Sequence, residues 1–203
     1  MAVPMIADLT AEEVRSAVVE RYGQVATDPT GTFNFPIGRA FAEAIGYPPA
    51  TLDSVPEEAV RSFAGVTYFH PRTKLVSGEI VLDLGCGAGM DMLIAAKAVA
   101  PTGRVIGIDY SEEMVALATE NAKRAGVTNV TVHRAPVEAL PLPDASVDVA
   151  EANGVFNLAP GKDAAVAEVY RVLKPGGRLV AAEIALRHDV PASERATLQD
   201  WFR

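Results

Sequence analysis

The sequence predicts an α/β protein built on a doubly wound, mainly parallel sheet, and three observations carry that expectation. From residue 78 onward, apolar runs of strand length alternate with amphipathic runs of helix length. The links between them are short, which suits a sheet covered on both faces. The first strand also runs straight into a glycine-rich turn, Asp83-Leu84-Gly85-Cys86-Gly87-Ala88-Gly89, and sheets of this kind bind ligands outside the carboxyl ends of their strands.

Residues 1–77 read as an N-terminal helical lid or cap, and residues 78–203 as the sheet domain. Thr10 is placed to cap a helix running to about Tyr22, with Glu13 completing a capping box. Asp28-Pro29-Thr30-Gly31 breaks that helix. Residues 38–45 and 56–63 are further helical patches, the second opening with Pro56 and then Glu57 and Glu58, which favour a helix N-terminus. In the sheet domain, residues 80–84 form the first strand, 91–99 a helix and 105–108 the second strand. Ser111 starts a helix whose Met114, Leu117, Ala118 and Asn121 share one face, and Gly126 closes it. Residues 130–133 and 147–151 give the third and fourth strands. A helix over 162–174 carries Val166, Val169, Tyr170 and Leu173 on one face, and Pro175-Gly176-Gly177 stops it before a fifth strand at 178–184.

Composition narrows the function. With 203 residues, 49% of them hydrophobic and 22% charged, the chain is an ordinary globular domain able to bury a sizeable core. Its single cysteine, Cys86, excludes an intramolecular disulfide and a cysteine-rich zinc site. The balance of 18 basic against 26 acidic residues, net −8, argues against nucleic acid as a partner, because that affinity comes from Lys and Arg neutralising phosphates. The start carries no positive region followed by an apolar run, and Lys97 interrupts the best apolar stretch at 93–100, so no signal peptide or membrane partner is expected and the expected location is cytoplasmic.

The glycine turn then selects a ligand. A dinucleotide fingerprint, G-x-G-x-x-G, would need a glycine where Met90 stands, so the glycines are spaced G-x-G-x-G instead. Asp83, two residues before Gly85, would repel a pyrophosphate and attract a positively charged amino-acid group. Asp109 follows the second strand, 24 residues past Gly85, and is placed to hold ribose hydroxyls. A cationic nucleoside fits two acids flanking a glycine loop.

Residues 81–89, Gly-Ile-Asp at 107–109, Leu-Pro-Leu-Pro-Asp-Ala-Ser-Val-Asp-Val at 140–149 and Val-Leu-Lys-Pro-Gly-Gly-Arg-Leu at 172–179 together resemble the ordered motifs of the Rossmann-like class I S-adenosylmethionine-dependent methyltransferases, over roughly residues 76–185. The resemblance implies S-adenosyl-L-methionine as cofactor. It places Asp83, Gly85 and Gly87 at the methionine end with Cys86 inside the same loop, Asp109 on the ribose, and Tyr110 and Met114 against the adenine. It assigns the adenine edge to the Val137 amide and the Glu138 carboxylate, with Pro136 standing where many relatives have an acid. Asn153 and Gly154 would face the sulfonium and the entry of the methyl acceptor, and Tyr22 would fold over the cofactor.

Within that family, Phe35-Pro36-Ile37-Gly38-Arg39, Ser62-Phe63-Ala64-Gly65-Val66 and the stretch 153–162 are similar to the arsenite methyltransferase branch. Arsenic-methylating members place a cysteine where this chain has Gly154, and a soft thiophilic ion needs several thiolates. The expected acceptor is therefore a small organic molecule. His70, in Tyr68-Phe69-His70-Pro71, is the residue expected to act as a base if the acceptor is protonated, whereas His133 and His188 read as structural. Family sheets continue beyond a fifth strand, but this chain stops at Asp200-Trp201-Phe202-Arg203. Either it is a fragment or a second copy covers the edge strand with Trp201 and Phe202, and the latter predicts a homodimer. Two other readings stay open: a non-catalytic relative that keeps the cofactor pocket, and a nicotinamide-dependent oxidoreductase, which Met90 opposes.

Overall fold

The computed structural model describes residues 9–185. Helix α1 (Ala11–Thr27) leads into the short helices α2 (Gly38–Ala44), α3 (Pro49–Leu52), α4 (Glu57–Arg61) and α5 (His70–Thr73). The alternating part follows as β1 (Ile80–Leu84), α6 (Met90–Val99), β2 (Arg104–Asp109), α7 (Glu112–Arg124), β3 (Val130–Arg134), β4 (Val147–Asn153), α8 (Lys162–Val172) and β5 (Leu173–Ala182). The five strands lie in the order β3-β2-β1-β4-β5 with every pairing parallel, the doubly wound sheet that the alternation predicts.

The capping box forms as read: the Glu13 backbone N–H donates to the Thr10 hydroxyl at 3.3 Å, and the Glu13 carboxylate accepts from the Thr10 N–H at 2.8 Å. The helix runs past Tyr22 to Thr27, and Gly23 lies where α1 presses on α7, since a Cβ there would sit 3.1 Å from the Glu113 carboxylate. Each face of the sheet has its own apolar layer. Leu82 and Leu84 of β1 join Ile106, Ile108, Ala150 and Ala152 beneath Val169 and Val172 of α8. Val81, Val105 and Val149 point the other way, against Met92, Ala95, Ala96 and Val99 of α6. Asp83 is in register with Gly107 on one side and Glu151 on the other, so by alternation all three lie on the α6 face. Gly107 is needed there, since a Cβ would meet Met92 Sδ at 2.5 Å.

The residues before the sheet build a third buried cluster, in which Ala42, Tyr47, Leu52, Ala59 and Phe63 pack on Met90 and Leu93 of α6. They thereby cover the first turn of the helix that follows the glycine loop.

The last helix and strand differ from the sequence reading. The helix ends at Val172 rather than 174, because Leu173 already pairs with Val147. Pairing resumes with Arg178 opposite Val149, so Pro175-Gly176-Gly177 forms a bulge inside β5, with Gly176 at φ +81°, instead of a loop before it. The strand ends at Ala182, short of 184. The buried stripe of α8 is Ala165, Val169 and Val172, whereas Val166 and Tyr170 are 51% and 83% exposed. His188, Trp201, Phe202 and the dimer edge expected around them lie outside the described residues. Among the described residues, no helix is long and apolar enough to cross a membrane.

Two substitutions test this assignment of inside and outside. Leu82→Ala, at a fully buried position, is expected to cost about 2–5 kcal/mol in denaturant unfolding. Tyr170→Ser should stay within about 0.5 kcal/mol of the parent. A loss at Tyr170 as large as that at Leu82 would contradict the orientation of α8.

Candidate functional site

Strands β1 and β4 are neighbours, yet β1 leads into α6 on one face and β4 leads towards α8 on the other. A crevice opens where the two chains diverge, the place where doubly wound sheets bind ligands. The cleft there has an empty volume of about 1090 Å³, part of it open to solvent.

The glycine loop forms one wall. Its turn is closed by the Cys86 N–H donating to the Ile108 carbonyl and the Gly89 N–H to the Cys86 carbonyl. Gly85 has φ +61°, and a Cβ there would lie 2.5 Å from Val155 Cγ2. Gly87 has φ +52° and nothing within 4 Å of a Cβ position, so its backbone borders open space. Cys86 is buried, and burial first, then the charges of Asp109 and Asp83, push its thiol up, which suits a loop filler and not a nucleophile.

Asp109 ties this wall to the next. Its Oδ2 accepts from the Gly87 N–H and its Oδ1 from the Ser111 N–H, each at 2.9 Å. Burial raises its carboxyl, and those backbone donors oppose the rise. Ser111 caps α7 by accepting from the Met114 N–H at 3.3 Å, which sets Met114 into the cleft wall. Tyr110 lies between two guanidinium groups, Arg15 at 5.6 Å and Arg134 at 5.9 Å from its ring centre. Val137 and Glu138 border the same end, where the Glu138 carboxylate accepts from the Gly161 N–H at 3.2 Å and reaches Arg15 at 3.5 Å. From α1, Tyr22 stacks on Phe35 at 5.5 Å, and burial, then the charges of Asp109 and Glu183, raise its hydroxyl.

At the other end, Asp91 gathers hydrogen bonds. Its Oδ1 accepts from the Tyr47 hydroxyl at 2.6 Å and from His70 Nε2 at 2.9 Å, and its Oδ2 from Asn153 Nδ2 at 2.9 Å. Asn153 in turn accepts, through Oδ1, from the Val66 N–H at 2.7 Å and the Thr67 N–H at 3.3 Å. A Cβ on Gly65 would lie 2.5 Å from Asn153 Nδ2, so only glycine lets that segment pass. Gly154, at φ +83°, continues the wall beside Val66.

Of the residues singled out from sequence, Tyr22, Asp83, Gly85, Cys86, Gly87, Asp109, Tyr110, Met114, Val137, Glu138, Asn153 and Gly154 all line this cleft. His70 does not. Its side chain sits behind Asp91, with Nε2 on that carboxylate and Nδ1 buried without a partner among the described residues. Sequence reading missed Tyr47, Asp91, Glu151, Arg15 and Glu183. The Glu183 carboxylate accepts from the Val155, Phe156 and Asn157 N–H groups at 2.9, 2.8 and 3.2 Å and so fixes the loop after β4. Two of these had a readable signal: Asp91 stands in the first turn after the glycine loop, and Glu151 is an acid inside an apolar strand.

Asn153→Ala would leave buried donors and acceptors on Asp91, Tyr47 and Val66 unpaired. It is expected to cost about 1–3 kcal/mol and to speed amide exchange at Val66 and Thr67. Unchanged protection at Val66 would contradict the role given to Asn153.

Residues 75–203 match the family described as a methyltransferase domain. An arsenite methyltransferase of Halobacterium salinarum is 36% identical over 196 residues, 89% of this chain and 49% of that protein. A demethylmenaquinone methyltransferase of Lactococcus lactis is 35% identical over 108 residues, 53% of this chain and 43% of that protein. Among solved structures, an arsenic(III) S-adenosylmethionine methyltransferase from Chlamydomonas reinhardtii superimposes with a TM-score of 0.65 at 32% identity, over 73% of this chain and 53% of that one. The chain spans about half the length of the relatives it matches. With the all-parallel sheet and the cleft at its switch point, these matches show that the chain belongs to the methyltransferase-domain family, with the Rossmann-like sheet of its class I members.

Proposed function

We propose that this cleft binds S-adenosylmethionine with its cationic amino-acid end towards Asp83 and its ribose on Asp109, and that the protein transfers the methyl group to a small organic acceptor. One observation carries the reading. Asp83 is 2% exposed and lines the cleft, and its Oδ2 has no hydrogen-bond partner among the described residues. A buried carboxylate oxygen without a partner is costly, and a positive group beside it removes the cost. The open space at Gly87 and the second carboxylate, Asp109, complete a lining of acceptors and room that suits a cationic nucleoside.

The bound cofactor supplies a methyl group on an already activated sulfonium, so the chain's own residues act by position. Proximity and orientation are worth up to about 7–11 kcal/mol in ideal cases. Asp109 and the glycine loop hold one another, Met114 and Tyr110 border the base end, and Asn153 with residues 65–67 closes the acceptor end. The lining there is largely apolar, from Ala59, Phe63, Ala64, Val155 and Leu158. That favours an acceptor with an apolar body. The single cysteine of these 203 residues is buried in the cofactor loop, and a trithiolate arsenic site needs more than that. With His70 turned onto Asp91, we read the pair as holding the acceptor end in shape, with no base supplied to the acceptor.

Titration calorimetry is expected to give micromolar binding of S-adenosylmethionine and S-adenosylhomocysteine, weakened about tenfold to a hundredfold in Asp109→Ala by loss of hydrogen bonds to a charged group. Absence of binding by either ligand would overturn the proposal.

A further inference from the structure

Glu151 is a buried acid that the cleft as described leaves without a task. It is fully buried in β4, and neither carboxylate oxygen has a hydrogen-bond partner among the described residues. Strand register sets it beside Asp83, whose Oδ2 is also unpartnered and borders the cleft. Both lie on the α6 face, where Asp91 adds a third carboxylate from the first turn of the helix.

The groups facing this trio offer little compensation. Tyr47 and His70 are committed to Asp91, the backbone N–H of Met92 serves Asp83, Asp109 adds a further negative charge from the end of β2, and Cys86 is a thiol that burial keeps protonated. No lysine or arginine among the described residues pairs with Asp83, Asp91 or Glu151. Two adjacent carboxylates in a dry interior do not both ionise unless a positive charge joins them. Burial first, then the charges of its neighbours, holds each of Asp83 and Glu151 well above the ordinary carboxyl range.

We propose that Glu151 and Asp83 form a proton-sharing pair that makes the cleft selective for a cationic ligand, with Glu151 as the specificity-determining residue acting through Asp83. The inference rests on the cofactor reading given above. With no cation in the cleft, the pair keeps a proton. Entry of a ligand bearing sulfonium and ammonium charges draws the pair to its ionised state, and the proton leaves Asp83 or Glu151 for the solvent. Affinity for such a ligand therefore rises with pH until the pair is ionised without it, by up to about tenfold per pH unit for one proton released. S-adenosylhomocysteine lacks the sulfonium charge and releases fewer protons, so the preference for the methylated form widens as pH rises.

The test is calorimetry of this chain with S-adenosylmethionine and with S-adenosylhomocysteine, in pairs of buffers of different ionisation enthalpy across neutral pH. The expected result is close to one proton released with the sulfonium ligand and fewer with the neutral one. Glu151→Gln, checked for folding by its melting curve, should lower the proton count and flatten the pH profile. The infrared C=O band of a buried protonated carboxyl gives a second readout in the unsubstituted protein: present in the ligand-free chain and lost on adding the sulfonium ligand. Binding without proton release, an unaltered proton count in Glu151→Gln, or no such band would each overturn the inference while leaving the cofactor reading intact. No binding of either ligand would overturn both.

Discussion

The carboxylate of Asp91 accepts hydrogen bonds from Tyr47 and His70, which precede the sheet, and from Asn153, at the end of β4. Three separate stretches of chain therefore meet on one side chain in the first turn of α6. The helix is itself pinned by the apolar cluster of Ala42, Leu52, Ala59 and Phe63 over Met90 and Leu93. A buried carboxylate needs hydrogen-bond donors around it, and these three supply them. One wall of the cleft follows from that constraint: Asn153, oriented by Asp91, holds the Val66 and Thr67 amides, and Gly65 permits the close pass.

A second constraint runs along the strands. The α6 face of the sheet is apolar at Val81, Val105 and Val149, and two residues further on it becomes Asp83, Gly107 and Glu151. The change occurs at the carboxyl ends, where the glycine loop exposes backbone and the first-turn amides of α6 point back at the cleft. Asp83, Asp91 and Asp109 line the cleft together with the apolar Phe63, Ala64, Val155 and Leu158. Carboxylates and apolar side chains in one cleft suit the cationic ligand and apolar acceptor proposed for it.

Much of this was legible in the sequence because it rests on short-range patterns. The Thr10–Glu13 box, the strand and helix periods after residue 78, and the G-x-G-x-G spacing with its flanking acids all depend on residues a few places apart. The glycine spacing and its flanking acids located Asp83, Gly85, Cys86, Gly87 and Asp109, and the family resemblance added Tyr22, Tyr110, Met114, Val137, Glu138, Asn153 and Gly154. The face of α8 was not legible, because Val166 and Tyr170 share the helical spacing with Val169 while the smaller Ala165 is the residue that faces inward. The β5 boundary was misread because Pro175-Gly176-Gly177 reads as a stop, while the ladder absorbs it as a bulge. Tyr47 and Asp91 stand 44 residues apart, and no local pattern joins them. His70 was near the site in sequence, but its orientation depends on that same distant partner.

The proposed function makes the crevice between β1 and β4 a cofactor site held by Asp83 and Asp109, with the methyl acceptor entering beside Asn153. A crystal structure with S-adenosylhomocysteine tests it most directly. In that structure the amino group of the ligand should lie against Asp83, the ribose on Asp109, the adenine between Tyr110 and Met114, and open space beside the sulfur bounded by Phe63, Ala64 and Asn153. A ligand lying outside the crevice, or one whose ribose contacts neither oxygen of Asp109, would contradict it.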